Sequence, residues 1–330
     1  MKQFLQKKAK LVFLCMLVLL TCTACANPRG RDGKTLADQI IASEETTIDA
    51  SKINYKDISD KKLKKEIKKN IKDGQYTIQP TTFKDSMSKG WFEGLIVWPI
   101  AQIINLISSK TDAGVGIILT TLLIQMLVFV FTRKSQMSTQ RMQEISPEIQ
   151  KIQNKYKDKT DERSKMQMAQ EMQNMYQKYD IHPMGSMLIT FIQLPIMMGM
   201  YYATMRSVSV VSGSFMGISL AGTPLDGFKA LDIAYIAIYV LMVIFYIVSM
   251  KLPQWLKKWQ DKKDNVKVKK YAQEETNPMA NSMNMSMYFM TAMICVMYIS
   301  WPMAMSFYWL VSSVIRVCQS LILHQVMNKK

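Results

Sequence analysis

Acidic residues are scarce in this chain, and they are missing from the places where they would define a chemistry. Its 330 residues hold 25 Asp plus Glu against 42 Lys plus Arg, a formal net charge of +17. No carboxylate lies centrally in any long apolar run. That counts against a small-solute transporter or channel built on intramembrane acids, and neither inverted repeats nor broken helices around a midplane ion site point to one. Cysteine and histidine are also few. Cys15, Cys22, Cys25, Cys295 and Cys318 sit in or beside apolar stretches without metal-ligand spacing or a pairable framework, so they give no disulfide or metal signal. His182 and His324 stand singly near the ends of apolar runs and read as structural. No zinc-finger spacing, RNP-like aromatic motif or dinucleotide fingerprint accompanies the lysines, which argues against sequence-specific nucleic-acid readout.

Hydrophobic residues make up 49% of the chain and charged ones 20%, and the two are segregated: long charge-free stretches alternate with densely basic ones. A soluble globule does not have this pattern. Lys2, Lys7, Lys8 and Lys10 precede a short apolar run, Leu11 to Leu20, followed by Thr21-Cys22-Thr23-Ala24-Cys25. This is a secretory signal layout over residues 1–25. The small residues before Cys25 make it a candidate for lipidation, as in a bacterial lipobox, and an uncleaved signal-anchor helix is the alternative. Residues 26–90 are polar and lysine-rich. Leu63, Ile67 and Ile71 mark one basic helix that Gly74 would end, and the segment reads as a loosely folded extracytoplasmic tether.

Five membrane spans follow, at about 114–132, 184–205, 230–250, 283–301 and 303–325. The last two come from one long stretch whose only formal charge is Arg316 and which Pro302 divides. Residues 91–109 are apolar too, but Gln102, Asn105 and Ser109 fall on one stripe, so this piece should lie flat in the interface. With five spans the basic segments 133–182 and 251–280 and the Lys329-Lys330 tail all face the cytoplasm, as the positive-inside rule asks. The whole is an all-α integral membrane protein of a bacterial plasma membrane, with its N-terminus extracytoplasmic. Within 133–182, Ile145, Ile149, Ile152 and Tyr156 match Met168, Met172, Met175 and Tyr179 in spacing, which predicts a cytoplasmic helical hairpin with its turn near Lys157 to Asp161. The methionines are read as packing, with an adaptable client surface as the alternative.

Polar side chains inside the spans are costly unless they face protein or water, so their positions carry information. Thr121 and Gln125 mark the first span, Ser186, Thr190 and Gln193 the second, and Ser312, Arg316 and Gln319 the fifth, with weaker marks from Thr291 and Tyr298 on the fourth. Gln125 lies eleven residues after Gly114 and Arg316 eleven after Met305, in spans that both enter from outside, which puts each roughly 16 Å deep at about 1.5 Å per residue, and Gln193 lies near the middle of its span. A shared hydrated cavity follows. Ordinary interhelical hydrogen bonding would account for the neutral residues, but Arg316 cannot shed its proton and needs water or partners. Snorkelling of Arg316 to the cytoplasmic edge is the alternative.

The order of these elements resembles the YidC/Oxa/Alb family of membrane protein insertases over residues 91–327, with a lipobox-bearing start that looks Gram-positive. The local sequence carrying the resemblance is Gly114-Val115-Gly116-Ile117-Ile118-Leu119, the stretch Gln193-Leu194-Pro195-Ile196-Met197-Met198-Gly199-Met200-Tyr201-Tyr202-Ala203, and Pro302 followed by Phe307-Tyr308-Trp309-Leu310. The resemblance implies a groove open to cytoplasm and lipid whose positive charge attracts the acidic translocated tail of a client. It also implies insertase and foldase (chaperone) activity without enzymatic chemistry, cofactor or metal. Implied partners are nascent membrane proteins, the ribosome, the Sec translocon and anionic lipids. Alignment outward from Gly114 puts the family's usual first-span arginine at Gln125, a neutral amide. Arg316 would then supply the charge, with Gln319 matching the family's fifth-span glutamine. The competing readings are a degenerate paralogue that binds clients without inserting them and, more remotely, a small-solute transporter.

Overall fold

The computed structural model describes residues 28–156, 159, 161–181, 184–263, 289, 291–293 and 295–328. The expected signal segment with Cys25, residues 264–280 of the loop 251–280, the start of the fourth span, His182 and the Lys329-Lys330 tail lie outside the described residues. The chain divides into two compact units: the described parts of Met1–Thr120 with Leu194–Gly222 and Pro302–Met305, and those of Thr121–Gln193, Thr223–Trp301 and Ser306–Lys330.

The first unit corrects the expectation of a loose tether. Strand β1 (Thr35–Leu36) pairs in parallel with β3 (Ile53–Asn54), and β2 (Thr46–Asp49) pairs antiparallel with β4 (Gln75–Ile78) in the register Thr46↔Ile78. Helix α1 (Lys61–Asn70) is capped by Asp60, whose carboxylate accepts from the Lys62 and Leu63 amides. It ends before Gly74, which takes φ +74° in the turn into β4. Its inner face places Ile67 in a core with Ile40, Ile48, Ile53, Ile58 and Ile78, closed by Val208 and Val211. Those two valines come from α8 (Val208–Ser212), far along the chain, so local sequence could not reveal the core they complete. The helical fold class holds in its coarser form: the structure is mostly helical, and among the described residues it also carries three two-stranded sheets, the third joining β5 (Ser214–Phe215) to β6 (Ile218–Ser219).

A capping box of Thr82 and Asp85 starts α2 (Phe83–Lys89), and a π-turn over Glu93–Val97 leads into α3 (Trp98–Ser108). The polar stripe read on 91–109 makes hydrogen bonds to protein through Gln102 and Asn105. Gln102 Nε2 donates to the Ala42 and Thr81 carbonyls at 3.2 and 3.3 Å, and Asn105 Nδ2 to the Ile41 carbonyl at 2.8 Å, while Asn105 Oδ1 accepts from Ser207 and from the Ser209 amide. Leu95 and Leu106 remain exposed. Helix α4 (Ala113–Glu144) starts close to α3 because Gly116 lacks a side chain; a Cβ there would overlap Ser108 and the Ile104 carbonyl.

The buried charges of this unit meet at the end of α7 (Met184–Arg206). The Arg206 guanidinium pairs with Glu93, and its Nε donates to the Gln39 carbonyl at 2.6 Å. Around it the Ile41 amide donates to the Arg206 carbonyl and the Val208 amide to the Ile41 carbonyl.

In the second unit α4 does not stop where the first span was expected to. It continues through Arg133, Lys134 and Arg141 to Glu144. Helices α5 (Ser146–Lys155) and α6 (Glu162–Lys178) form the hairpin, with Ile145, Met175 and Ile181 at its centre and Ile149, Ile152 and Tyr179 against them. Lys155 Nζ (2.5 Å) and the Tyr156 hydroxyl (2.8 Å) both donate to Glu171. Helix α9 (Pro224–Ala230) packs on α10 (Ile233–Lys263) where Gly227 meets Tyr235. Asp232, expected just inside the third span, instead caps α10 by accepting from the Ala234 amide at 2.9 Å. Pro302 precedes α11 (Met303–Asn328). Among the described residues, Ala113–Met142, Ile233–Gln260 and Met303–Val326 are long and apolar enough to cross a membrane.

Candidate functional site

Polar side chains on four helices of the second unit enclose a cavity of about 270 Å³. Helix α4 contributes Gln125, Gln136, Thr139 and Gln140; α7 contributes Gln193; α10 contributes Ser249, with Pro253 beside it as an apolar part of the wall; α11 contributes Arg316, Gln319 and Ser320. Val128, Ile189, Met250 and Leu323 complete the wall. The helices are apolar on average, so the polar positions fall on the faces they turn to one another, as the cost of a polar group against lipid requires.

One end of the cavity carries a neutral hydrogen-bonded layer. Gln125, 6% exposed, donates from Nε2 to Ser312 Oγ at 3.2 Å, and Gln193 Nε2 donates to the Tyr308 hydroxyl at 3.1 Å. Tyr308 is fully buried and also lies against Ser312 and Gln125, so α4, α7 and α11 are tied at one level. Thr121 and Ser312 are fully buried there. Next to this layer sits the one arginine of α11. Arg316 is half-buried, its Nη2 donates to Ser313 Oγ at 2.8 Å, and its Cζ lies 5.8 Å from the centroid of the Trp309 ring. Among the described residues no carboxylate forms an ion pair with it. A guanidinium stays charged whatever the pH of the cell, so the cavity holds a permanent cation among amides and hydroxyls.

Of the residues singled out in the sequence, Gln125, Gln193, Arg316 and Gln319 share the cavity wall, Ser312 bonds to Gln125 of that wall, and Thr121 and Ser312 are both fully buried. The backbone of Thr190 lies in α7, but its side chain is outside the described residues, as is Cys25. Sequence reading missed Gln136, Thr139, Gln140, Ser249 and Tyr308. The signal for Gln136 and Thr139 was present, because Thr121, Gln125, Thr132, Gln136 and Thr139 keep helical spacing. It was cut off by ending the span at Arg133, where α4 runs on. Gln136 Nε2 donates to Thr132 Oγ1 at 2.8 Å, one turn apart on that continued stripe.

Outside the apolar helices the clearest electrostatic feature is on the hairpin. The hydrogen bond from Lys155, with that from Tyr156, holds the Glu171 carboxyl below the usual range, and the same contact raises the Lys155 ammonium.

The family described as 60Kd inner membrane protein matches residues 105–330. Similar curated proteins include "Membrane protein insertase YidC 1" of Streptococcus pyogenes serotype M6, 30% identical over 237 residues that cover 72% of this chain and 75% of the relative. A "Membrane protein insertase YidC 1" of Listeria monocytogenes is 29% identical over 257 residues, 77% of this chain and 78% of its own. "Membrane protein insertase MisCA" of Bacillus subtilis is 28% identical over 238 residues, 72% and 80% of the two chains.

Proposed function

The chain belongs to the 60Kd inner membrane protein family, that of YidC, Oxa1 and Alb3, and from that premise we propose that it is a membrane protein insertase and foldase. The observation that carries the reading is the cavity of the second unit, where Arg316 stands among amides and hydroxyls and pairs with no carboxylate among the described residues. In this reading the cavity is hydrated and open to the cytoplasm and the chain spans the membrane five times. Cys25 anchors the N-terminus in lipid on the outer side, and the hairpin and C-terminus lie in the cytoplasm.

A client's polar tail then passes through a water-filled recess instead of through hydrocarbon. Each charge at the centre of a lipid-exposed helix costs roughly 2.5–3.5 kcal/mol on insertion scales, so solvating it lowers the barrier by about two powers of ten per charge. Arg316 attracts an acidic tail in place of the arginine that Gln125 lacks, since the Gln125 amide is neutral and already donates to Ser312. The client's apolar helix leaves sideways because it prefers acyl chains. The basic cytoplasmic surfaces meet anionic lipid headgroups or ribosomal RNA through a salt-sensitive attraction, and nascent chains arrive from the ribosome alone or with the Sec translocon.

The test is insertion of a single-span client with an acidic tail into liposomes holding only this protein, scored by protease protection. Protection by the wild type and its loss in Arg316→Ala is the expected result. No protection by the wild type would point to a client-binding paralogue without autonomous insertase activity.

A further inference from the structure

Arg316 is the last member of a row along α11. Trp309, Ser313 and Arg316 fall at 0, 4 and 7, so they share one face, and the guanidinium turns back along its own helix toward the other two. Ser313, fully buried, accepts from Nη2 at 2.8 Å. Trp309, 7% exposed, offers its ring face at 5.8 Å, within the range of a cation–π contact. The ring is itself fixed: Tyr298 stacks on it at 5.0 Å with planes 26° apart, and Tyr246 meets it edge-on at 6.4 Å. An arginine held only by its helix would be free to swing to either end, and a long cationic side chain normally extends toward the nearest aqueous edge.

We propose that Trp309 and Ser313 are positioning residues that fix the depth of the Arg316 charge, and thereby select where along its polar tail a client must carry its acidic residue. The inference rests on the insertase reading and names the feature of the substrate that the same cavity reads. Ser313 lies about 4.5 Å nearer the N-terminus of α11 than Arg316, at about 1.5 Å rise per residue. A released guanidinium extending the opposite way would move by up to about twice that. An extended client tail advances about 3.3–3.6 Å per residue, so the matching acidic position would shift by about two to three residues.

The experiment is a position scan in liposomes containing the full-length protein. A single Asp is moved residue by residue along the otherwise neutral tail of a single-span client, and protease protection is recorded at each position. Wild type is expected to give one peak, and Trp309→Leu and Ser313→Ala to move it by two to three residues. Trp309→Phe, which keeps a ring face, is expected to hold it in place. A variant that only loosens the helices lowers the whole scan without moving the peak, so an unmoved peak in both Trp309→Leu and Ser313→Ala overturns the proposal. Arg316→Ala separates the two levels of the argument. A scan flattened by Arg316→Ala but unmoved by the other two sinks the positioning role alone, whereas an acidic peak that survives Arg316→Ala sinks the charged-cavity reading on which it stands.

Discussion

Replacing Glu93 by Gln should loosen the first unit at one identifiable place. The Arg206 side chain is 5% exposed and that of Glu93 13%, so the pair is buried and removing one charge strands the other. Breaking such a pair costs about 3–5 kcal/mol. The lower end applies here, because Gln keeps the shape and Arg206 retains the Gln39 carbonyl as an acceptor. At about 1.4 kcal/mol per factor of ten, a 3 kcal/mol loss opens the local structure roughly 150-fold more often. Two amides report it directly, since Ile41 N–H donates to the Arg206 carbonyl and Val208 N–H to the Ile41 carbonyl. Hydrogen exchange at both should accelerate by about two orders of magnitude, while the Tyr179 amide, bonded to the Met175 carbonyl in the hairpin, stays unchanged. The double replacement Glu93→Leu with Arg206→Met removes both charges and should return exchange to within about tenfold of wild type, since apolar substitution of a whole buried pair is often neutral. Exchange at Ile41 and Val208 that stays within a few-fold of wild type in Glu93→Gln would refute the reasoning.

Three further outcomes follow from the same structure. Ile67, 3% exposed in the isoleucine core, should cost about 2–4 kcal/mol as Ile67→Ala, read as faster native-state proteolysis of the segment before α3, while the exposed neighbour Lys68→Ala stays within about 0.5 kcal/mol. On the hairpin, Glu171 has a lowered pKa and Lys155 a raised one, so their contact contributes fully between about pH 5 and pH 10. It fades as pH falls through the lowered Glu171 pKa or rises through the raised Lys155 pKa; exchange in α6 should show both limbs weakly, and Glu171→Gln should remove the acid one. If the groove charge has moved between helices, Gln125→Arg placed in an Arg316→Ala background should recover most of the insertion of acidic-tailed clients; no recovery in a folded double variant would count against the exchange.

What the sequence disclosed and what it hid divide by the range of the interactions. Three of the expected spans were legible as charge-free runs that mark α4, α10 and α11, and the hairpin seam was legible because it is periodic: Ile145, Ile149 and Ile152 meet Met175 as their spacing implies. The cavity was legible in outline for the same reason, since Gln125, Gln193 and Arg316 stand out against apolar surroundings. The wall formed by Gln136 and Gln140 was not, because ending a span at the first charge discarded both from a helix that runs past Arg133. The small isoleucine core was illegible locally. Its strands are two to four residues long, and Val208 and Val211, which close it, lie well over a hundred residues beyond most of their partners. The Gln102 and Asn105 stripe was legible, but not its partners: carbonyls of that same hidden unit take its hydrogen bonds.

The most direct test of the central claim, that a client's polar tail travels through the cavity, is site-specific photocrosslinking during insertion. A photoreactive residue replaces either Gln319, on the cavity wall, or Val130, 71% exposed on the outer surface of α4. The account predicts that the translocating acidic tail crosslinks to position 319 and not to position 130. Insertion proceeding with tail crosslinks at 130 and none at 319 would contradict it.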